Sequence, residues 1–129
     1  MLSSYRQHFP GMAPDVLVPV PLHKKQFAKR QYNQSAVLAA HLNKATGIPS
    51  APKILARIRE TRPQYTLNKQ ERAENIKHAF QVKDGYPLPG AKILVIDDIC
   101  TTGSTINECA RVLKQAGASE VHGLVLAHG

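Results

Sequence analysis

Three observations predict an α/β fold, a three-layer sandwich with a mostly parallel sheet. Strand-like apolar runs alternate with helix-like segments along the 129 residues. One run, Ile93, Leu94, Val95 and Ile96, is apolar without a polar break, as a strand buried on both faces of a parallel sheet requires. That run leads into two carboxylates, Asp97 and Asp98, then a small hydroxyl-rich turn of Thr101, Thr102, Gly103, Ser104 and Thr105, then an amphipathic segment. Ligands of open α/β sheets bind in the crevice beyond the carboxyl ends of the strands, and a helix N-terminus preceded by small residues is suited to an anion. The stretch 92–105 therefore points to a polyhydroxylated, phosphorylated ligand.

The remaining elements follow in order. Residues 1–15 are polar and carry Pro and Gly, and 5–9 fit a helix continuing from outside this sequence; they read as an N-terminal segment, either truncated or the start of a stand-alone core, before a domain spanning 16–129. Residues 16–20 read as a strand, with Pro19 arguing for an edge position or the strand's end. The following loop delivers His23, Lys24 and Lys25 to that end. A helix over 31–45 carries Val37, Leu38, Leu42 and Ala45 on one face with His41 upon it, and stops at Gly47 and Pro49. His41 lacks a second metal-type residue at i+4, so it is expected to be a packed or half-buried histidine and not a ligand.

Residues 53–58 read as a second strand, 69–76 as a short helix and 79–82 as a third strand, with turn residues from Asp84 to Gly90 leading to the central strand. The helix after the acidic pair places Ile106, Cys109, Ala110, Leu113 and Ala116 on one face and ends at Gly117, which makes Cys109 a core residue. Residues 121–127 form a last apolar strand.

Composition narrows the class. No apolar run approaches the roughly 20 residues of a membrane helix, so no membrane insertion is expected. No secretory signal is visible, and the two cysteines, Cys100 and Cys109, form no C-x-x-C, which predicts a cytoplasmic protein with reduced thiols. Lys and Arg number 17 against 9 Asp and Glu, a net charge of +8, so polyanions should be attracted. From residue 92 onward three basic residues meet four acidic ones, so the excess lies upstream of the acidic pair. That distribution suits phosphates in a cleft or nucleic acid on a face.

Familiar nucleotide motifs are lacking: there is no G-x-x-x-x-G-K-[ST] and no G-x-G-x-x-G. A receiver domain of the two-component type also sets an acidic pair after an apolar strand, but it needs about a hundred further residues of doubly wound sheet. Only 31 residues follow Asp98. The run I-L-V-I-D-D-I-C-T-T-G-S-T resembles the phosphoribosyl pyrophosphate (PRPP) signature of type I phosphoribosyltransferases. V-P-V-P-L-H-K-K at 18–25, Q-Y-N-Q-S at 31–35, T-R-P-Q-x-x-L-x-x-x-x-R-x-x-N at 61–75 and A-F-Q-V at 79–82 narrow the resemblance to the ComF/GntX family, associated with competence.

The resemblance implies a type I phosphoribosyltransferase-like sheet in which Asp97 and Asp98 hold the ribose hydroxyls, directly or through Mg²⁺ and water. Thr101, Thr102, Gly103, Ser104 and Thr105 would wrap the 5′-phosphate. His23, Lys24 and Lys25 occupy the family's pyrophosphate loop, with Arg57, Arg59, Arg62 or Arg72 closing over the site; Arg72 and Asn75, three apart, would share a helix face. The implied reaction displaces pyrophosphate from the anomeric carbon of PRPP by a nitrogen acceptor of unidentified nature. Thr101 stands where purine-salvage members carry an Asp, which argues against a purine acceptor. Full-length relatives usually carry an N-terminal zinc module whose cysteines are not in this sequence. The other reading is a non-catalytic PRPP sensor or an accessory of DNA uptake, with single-stranded DNA or the competence machinery as partner; a homodimer is compatible with either.

Overall fold

The central strand sets the architecture. In a computed structural model, described over residues 13–22, 33–59, 68–83, 88–100 and 104–128 with the side chains of 72, 73, 98–100 and 126–128 left aside, β4 runs Lys92–Cys100. It lies between β1 (Val16–Pro19) and β5 (Glu120–His128), and both neighbours are parallel to it. Ile93, Leu94, Val95 and Ile96 are all completely buried. Because successive strand side chains alternate between faces, Ile93 and Val95 join a cluster with Val18, Cys109 and Leu113, whereas Leu94 and Ile96 join Leu17, Ala39, Leu42 and Leu124. The unbroken apolar run thus supplies two cores, one on each side of the sheet.

The second core is covered by α1 (Gln34–Thr46), and the first by α3 (Ser104–Gln115) together with an antiparallel ribbon of β2 (Leu55–Arg57) and β3 (Phe80–Val82). These are the three layers expected from the sequence, with a wholly parallel main sheet and a separate antiparallel pair. A short helix α2 (Lys69–Ile76) packs against α3 and begins with a capping box: Asn68 accepts from the Glu71 N–H at 2.8 Å, and the Glu71 carboxylate accepts from the Asn68 N–H at 3.0 Å.

Pro19 closes β1 without cost to the ladder. The Val20 N–H donates to the Ile96 carbonyl at 2.9 Å, whereas the Leu17 N–H points the other way, to the Pro49 carbonyl at 2.8 Å. Position 19 shares the parity of 17, so its missing N–H falls on the side away from β4. The outer edge of β1 is met by the segment around Ser50, where the Ala51 N–H donates to the Leu17 carbonyl at 2.9 Å. At the opposite end Asp15 fixes register: its N–H donates to the Lys92 carbonyl and its carboxylate accepts from the Lys92 N–H.

Two expectations are corrected. The buried stripe of α1 is Ser35, Ala39 and Leu42, with Val37 40% exposed and Ala45 exposed, so the helix is turned by about one position from the face read off the apolar residues. Ala39, fully buried, lets the helix approach the sheet closely where a larger side chain would hold it off. His41 consequently lies on the exposed side and is not half-buried. The helix ends as expected at Gly47, whose φ of 79° is the left-handed conformation of a C-cap and whose N–H donates to the Asn43 carbonyl.

The second correction concerns the acidic pair. β4 does not end at Ile96 but continues through Asp97 and Asp98 to Cys100, because β5 supplies nine residues to pair with it: Asp97 sits opposite Val125, Ile99 opposite Ala127 and Cys100 opposite His128. Cooperative pairing with a long neighbouring strand outweighs the poor strand preference of aspartate.

Candidate functional site

Asp97 stands near the carboxyl end of β4 and is only 8% exposed. By strand alternation it has the parity of Ile93 and Val95, and at this end of β4 it is also within reach of the first turn of α1, the helix that covers the other face. A buried carboxylate is costly unless hydrogen bonds and opposite charge compensate it, and two elements distant in sequence contribute. From α1, the hydroxyl of Ser35, itself 4% exposed, donates to Asp97 Oδ1 at 3.4 Å. From β2, Arg57 brings a positive charge that interacts with Asp97 and with the Cys109 thiol.

Arg57 is held where the ribbon delivers it. It pairs in register with Phe80 across the two strands, and its guanidinium carbon lies 4.8 Å from the centroid of that ring, a cation–π contact. Burial pulls the guanidinium below its ordinary range, while the negative charge of Asp97 acts in the opposite direction. Cys109 sits fully buried between these charges; burial pushes its thiol far above the ordinary range, with Arg57 opposing. It is the core residue its helical spacing predicts and has the protonation of an inert thiol, not a nucleophile.

The segment N-terminal to α1 fixes how Ser35 is presented. Asn33 is the N-cap: its side-chain oxygen accepts from the N–H groups of Ser35 at 2.9 Å and Ala36 at 3.3 Å. Its Nδ2 donates to the Val20 carbonyl at 3.0 Å, so the chain that leaves β1 after Val20 returns at Asn33 to the same place. Ser35 and Asn33 are not among the site residues the sequence singles out. An Asn just before an apolar helical run is a legible cap signal, but no sequence pattern announces that a serine at the start of the helix meets an aspartate 62 positions away.

Ser104 and Thr105 open α3 and are both partly buried, each engaged in interactions there. The residues His23, Lys24, Lys25, Arg62, Thr101, Thr102 and Gly103 lie outside the described residues, as do the side chains of Asp98, Cys100 and Arg72. Arg59 is engaged elsewhere: its guanidinium donates to the carbonyls of Asn75 and Lys77, both at 2.6 Å, and so caps the C-terminus of α2. Asn75 lines an open hollow of about 390 Å³ with Asn68, Gln70, Glu71 and Glu74. Two carboxylates among five lining residues disfavour a phosphate there. The structure therefore brings Asp97 and Arg57 together and gives Arg59 a helix terminus to hold.

Comparison with known proteins fits this geometry. The fold is that of type I phosphoribosyltransferases: glutamine PRPP amidotransferase from B. subtilis superposes with a TM-score of 0.61 at 22% identity over 97% of this chain and 25% of that one. A purine phosphoribosyltransferase from Pyrococcus horikoshii does so with 0.57 at 17% identity, over 98% and 67%. These likenesses establish the fold alone. The chain belongs to the phosphoribosyl transferase domain family, whose model matches residues 33–129.

Its curated relatives are of the ComF type. Competence protein F of Haemophilus influenzae is 33% identical over 84% of this chain and 48% of its own length. Competence protein ComFC of Streptococcus pneumoniae is 38% identical over 81% and 44%. The DNA utilization protein YhgH of Escherichia coli is 34% identical over 84% and 47%. The chain spans about half the length of the curated relatives it matches. No helix among the described residues is long and apolar enough to cross a membrane.

Proposed function

We propose that the domain, residues 16–129, binds PRPP at the carboxyl end of β4 and transfers its phosphoribosyl group to a nitrogen acceptor, releasing pyrophosphate. The observation that carries this reading is the buried Asp97, compensated from two elements and followed seven positions along the chain by Ser104, where α3 begins. A carboxylate pair there accepts hydrogen bonds from a vicinal diol, and a helix N-terminus suits the 5′-phosphate. The roles of Asp98, Thr101, Thr102, Gly103, Ser104 and Thr105 in the ribose 5-phosphate site, and of His23, Lys24, Lys25, Arg57 and Arg72 toward pyrophosphate, belong to this proposal.

The donor set fits a hard divalent cation, since carboxylate oxygens are the ligands Mg²⁺ prefers. Asp97 and Asp98 would hold it together with PRPP, and the ion would neutralise charge on the departing pyrophosphate. In the transfer the acceptor nitrogen forms the new bond to the anomeric carbon as the bond to the pyrophosphate oxygen breaks. Positive charge develops on the ribose, and a carboxylate held at that end of β4 would stabilise it.

Calorimetric titration with PRPP and Mg²⁺ tests the binding. Saturable heat that is lost in Asp98→Asn supports it, and no heat, or equal heat in that variant, overturns it. A screen for pyrophosphate release from PRPP across bases, ammonia and amines then identifies the acceptor.

The names of the relatives and the charge of +8 favour a second reading, a non-catalytic role in DNA handling. Single-stranded DNA binding that falls steeply with salt and is reduced in a Lys24→Ala, Lys25→Ala variant supports it; salt-insensitive or absent binding removes it.

A further inference from the structure

We infer that Ser35 is a positioning residue for Asp97, coupling the first turn of α1 to the acidic site; its role in ligand binding rests on the PRPP reading above. A serine 4% exposed in the first turn of a helix ordinarily turns its hydroxyl to a nearby backbone group or out to water. Ser35 instead turns its hydroxyl to Asp97 Oδ1, a partner on another element that is 8% exposed. Both groups are withdrawn from solvent, so each depends on partners within the protein.

Ser35 is fixed from behind. Asn33 accepts its backbone N–H at 2.9 Å and is anchored to the Val20 carbonyl through Nδ2, so the α1 start is registered against the carboxyl end of β1. Ala39 and Leu42, one and two turns on, lock the same helix face into the core with Leu94 and Ile96 of β4. The hydroxyl therefore sits on a rigid element that packs against the strand it must address. That is the arrangement required of a residue that orients a binding carboxylate without touching the ligand.

Other groups act around Asp97 as well. Arg57 supplies charge from β2, Cys109 of α3 is a buried thiol near both, and Glu108 acts on Cys109 while paired with Arg111. β1 contributes apolar residues, and β5 places Val125 opposite. Charge attracts the carboxylate as a whole and discriminates weakly between its two oxygens. A hydrogen bond to one oxygen selects a rotamer and directs the other oxygen.

Two measurements on Ser35→Ala and Ser35→Thr test this. In the ligand-free protein, the ¹³Cγ resonance of Asp97 is expected to move in Ser35→Ala and to return toward its wild-type position in Ser35→Thr, which keeps the hydroxyl. Calorimetric titration with Mg²⁺ and PRPP is expected to show affinity about threefold weaker in Ser35→Ala, the scale of a weak hydrogen bond, since 3.4 Å is long for a hydroxyl donor. Alanine is a better helix former than serine, so the variant should fold, and its melting temperature is checked alongside. An unchanged Asp97 resonance with unchanged affinity overturns the inference, as does a Ser35→Thr variant as impaired as Ser35→Ala in both measurements. Wild-type protein that gives no heat with PRPP, while the Asp97 resonance still responds to Ser35→Ala, overturns the donor assignment and supports the coupling of helix to carboxylate.

Discussion

Gly123 of β5 is the position at which one added methyl group should reach the site. A Cβ there would lie 2.7 Å from Cγ2 of Ile106 and 3.1 Å from its Cδ1. Carbon atoms in good contact are about 3.5–4.0 Å apart, so the overlap is close to an ångström. Cγ2 sits on the branched carbon of a β-branched residue, which has one strongly preferred rotamer in a helix, so no flexible chain end can swing aside. Either Ile106 leaves its rotamer or the first turn of α3, with Ser104 and Thr105, moves off the sheet. Overpacking of this kind costs about 1–3 kcal/mol, which with a urea m-value of about 2 kcal/mol/M lowers the unfolding midpoint by roughly 1 M.

The assay is a double-mutant cycle by urea denaturation with Gly123→Ala, Ile106→Ala and the pair. The Cβ of Ile106 would be 3.7 Å from the new methyl, an ordinary contact, so once Ile106→Ala has removed the atoms beyond it the glycine substitution should cost almost nothing. The coupling then equals the clash. If Gly123→Ala costs the same with and without Ile106→Ala, the glycine is not there for Ile106, and the account of how α3 is seated against β5 is wrong.

Two further outcomes follow from the groups beneath the site. The Cys109 thiol is raised by burial above its ordinary value of 9.0, so above that pH the unfolded chain loses a proton that the native state keeps, and stability falls as pH rises. The stability difference between wild type and Cys109→Ala, measured by urea unfolding, should shift against the wild type by up to about 1.4 kcal/mol per pH unit above about pH 9; a difference that stays constant from neutral pH to about pH 10 contradicts it. For Arg57, a cycle of Arg57→Met with Phe80→Leu should give a coupling of about 0.5–2 kcal/mol, the scale of a cation–π contact, since methionine keeps an unbranched chain and loses the charge; additive effects would mean that the ring does not hold the cation.

The central strand is legible because its apolar run is continuous. Alternation would mean one wet face, and its absence at 93–96 implies cover on both sides, which α1 and α3 provide. Cys109 is legible through the period of α3. The face of α1 is not, because Val37 and Ala45 count as apolar whether or not they are buried, whereas the sheet is approached by Ala39 and by a polar residue, Ser35. The extent of β4 is hidden because aspartates stop strands on average, and the length of the partner strand decides otherwise here. Charge alone groups Arg59 with Arg57. The two would share a face if β2 ran on, but β2 ends at Arg57, and the chain beyond it is free to turn the second guanidinium to the last carbonyls of α2 while the first lies over Phe80.

Strand alternation explains why the acidic site needs a separate ribbon. Asp97 takes the odd-numbered face of β4, the face on which Ile93 and Val95 are completely buried. An ionised carboxylate there cannot be compensated by α3 alone, whose buried groups nearby are the Cys109 thiol and the Glu108 carboxylate, neither a cation. Positive charge has to arrive from elsewhere, and it must itself be stabilised on the way in. β2 and β3 pair only with each other among the described strands, and they bring Arg57 to that face with Phe80 as its cushion. Each charge makes the other more tolerable, so deleting either one should cost more than its own contacts. The ribbon is therefore part of the acidic site, and Arg57 serves first to keep a carboxylate in place.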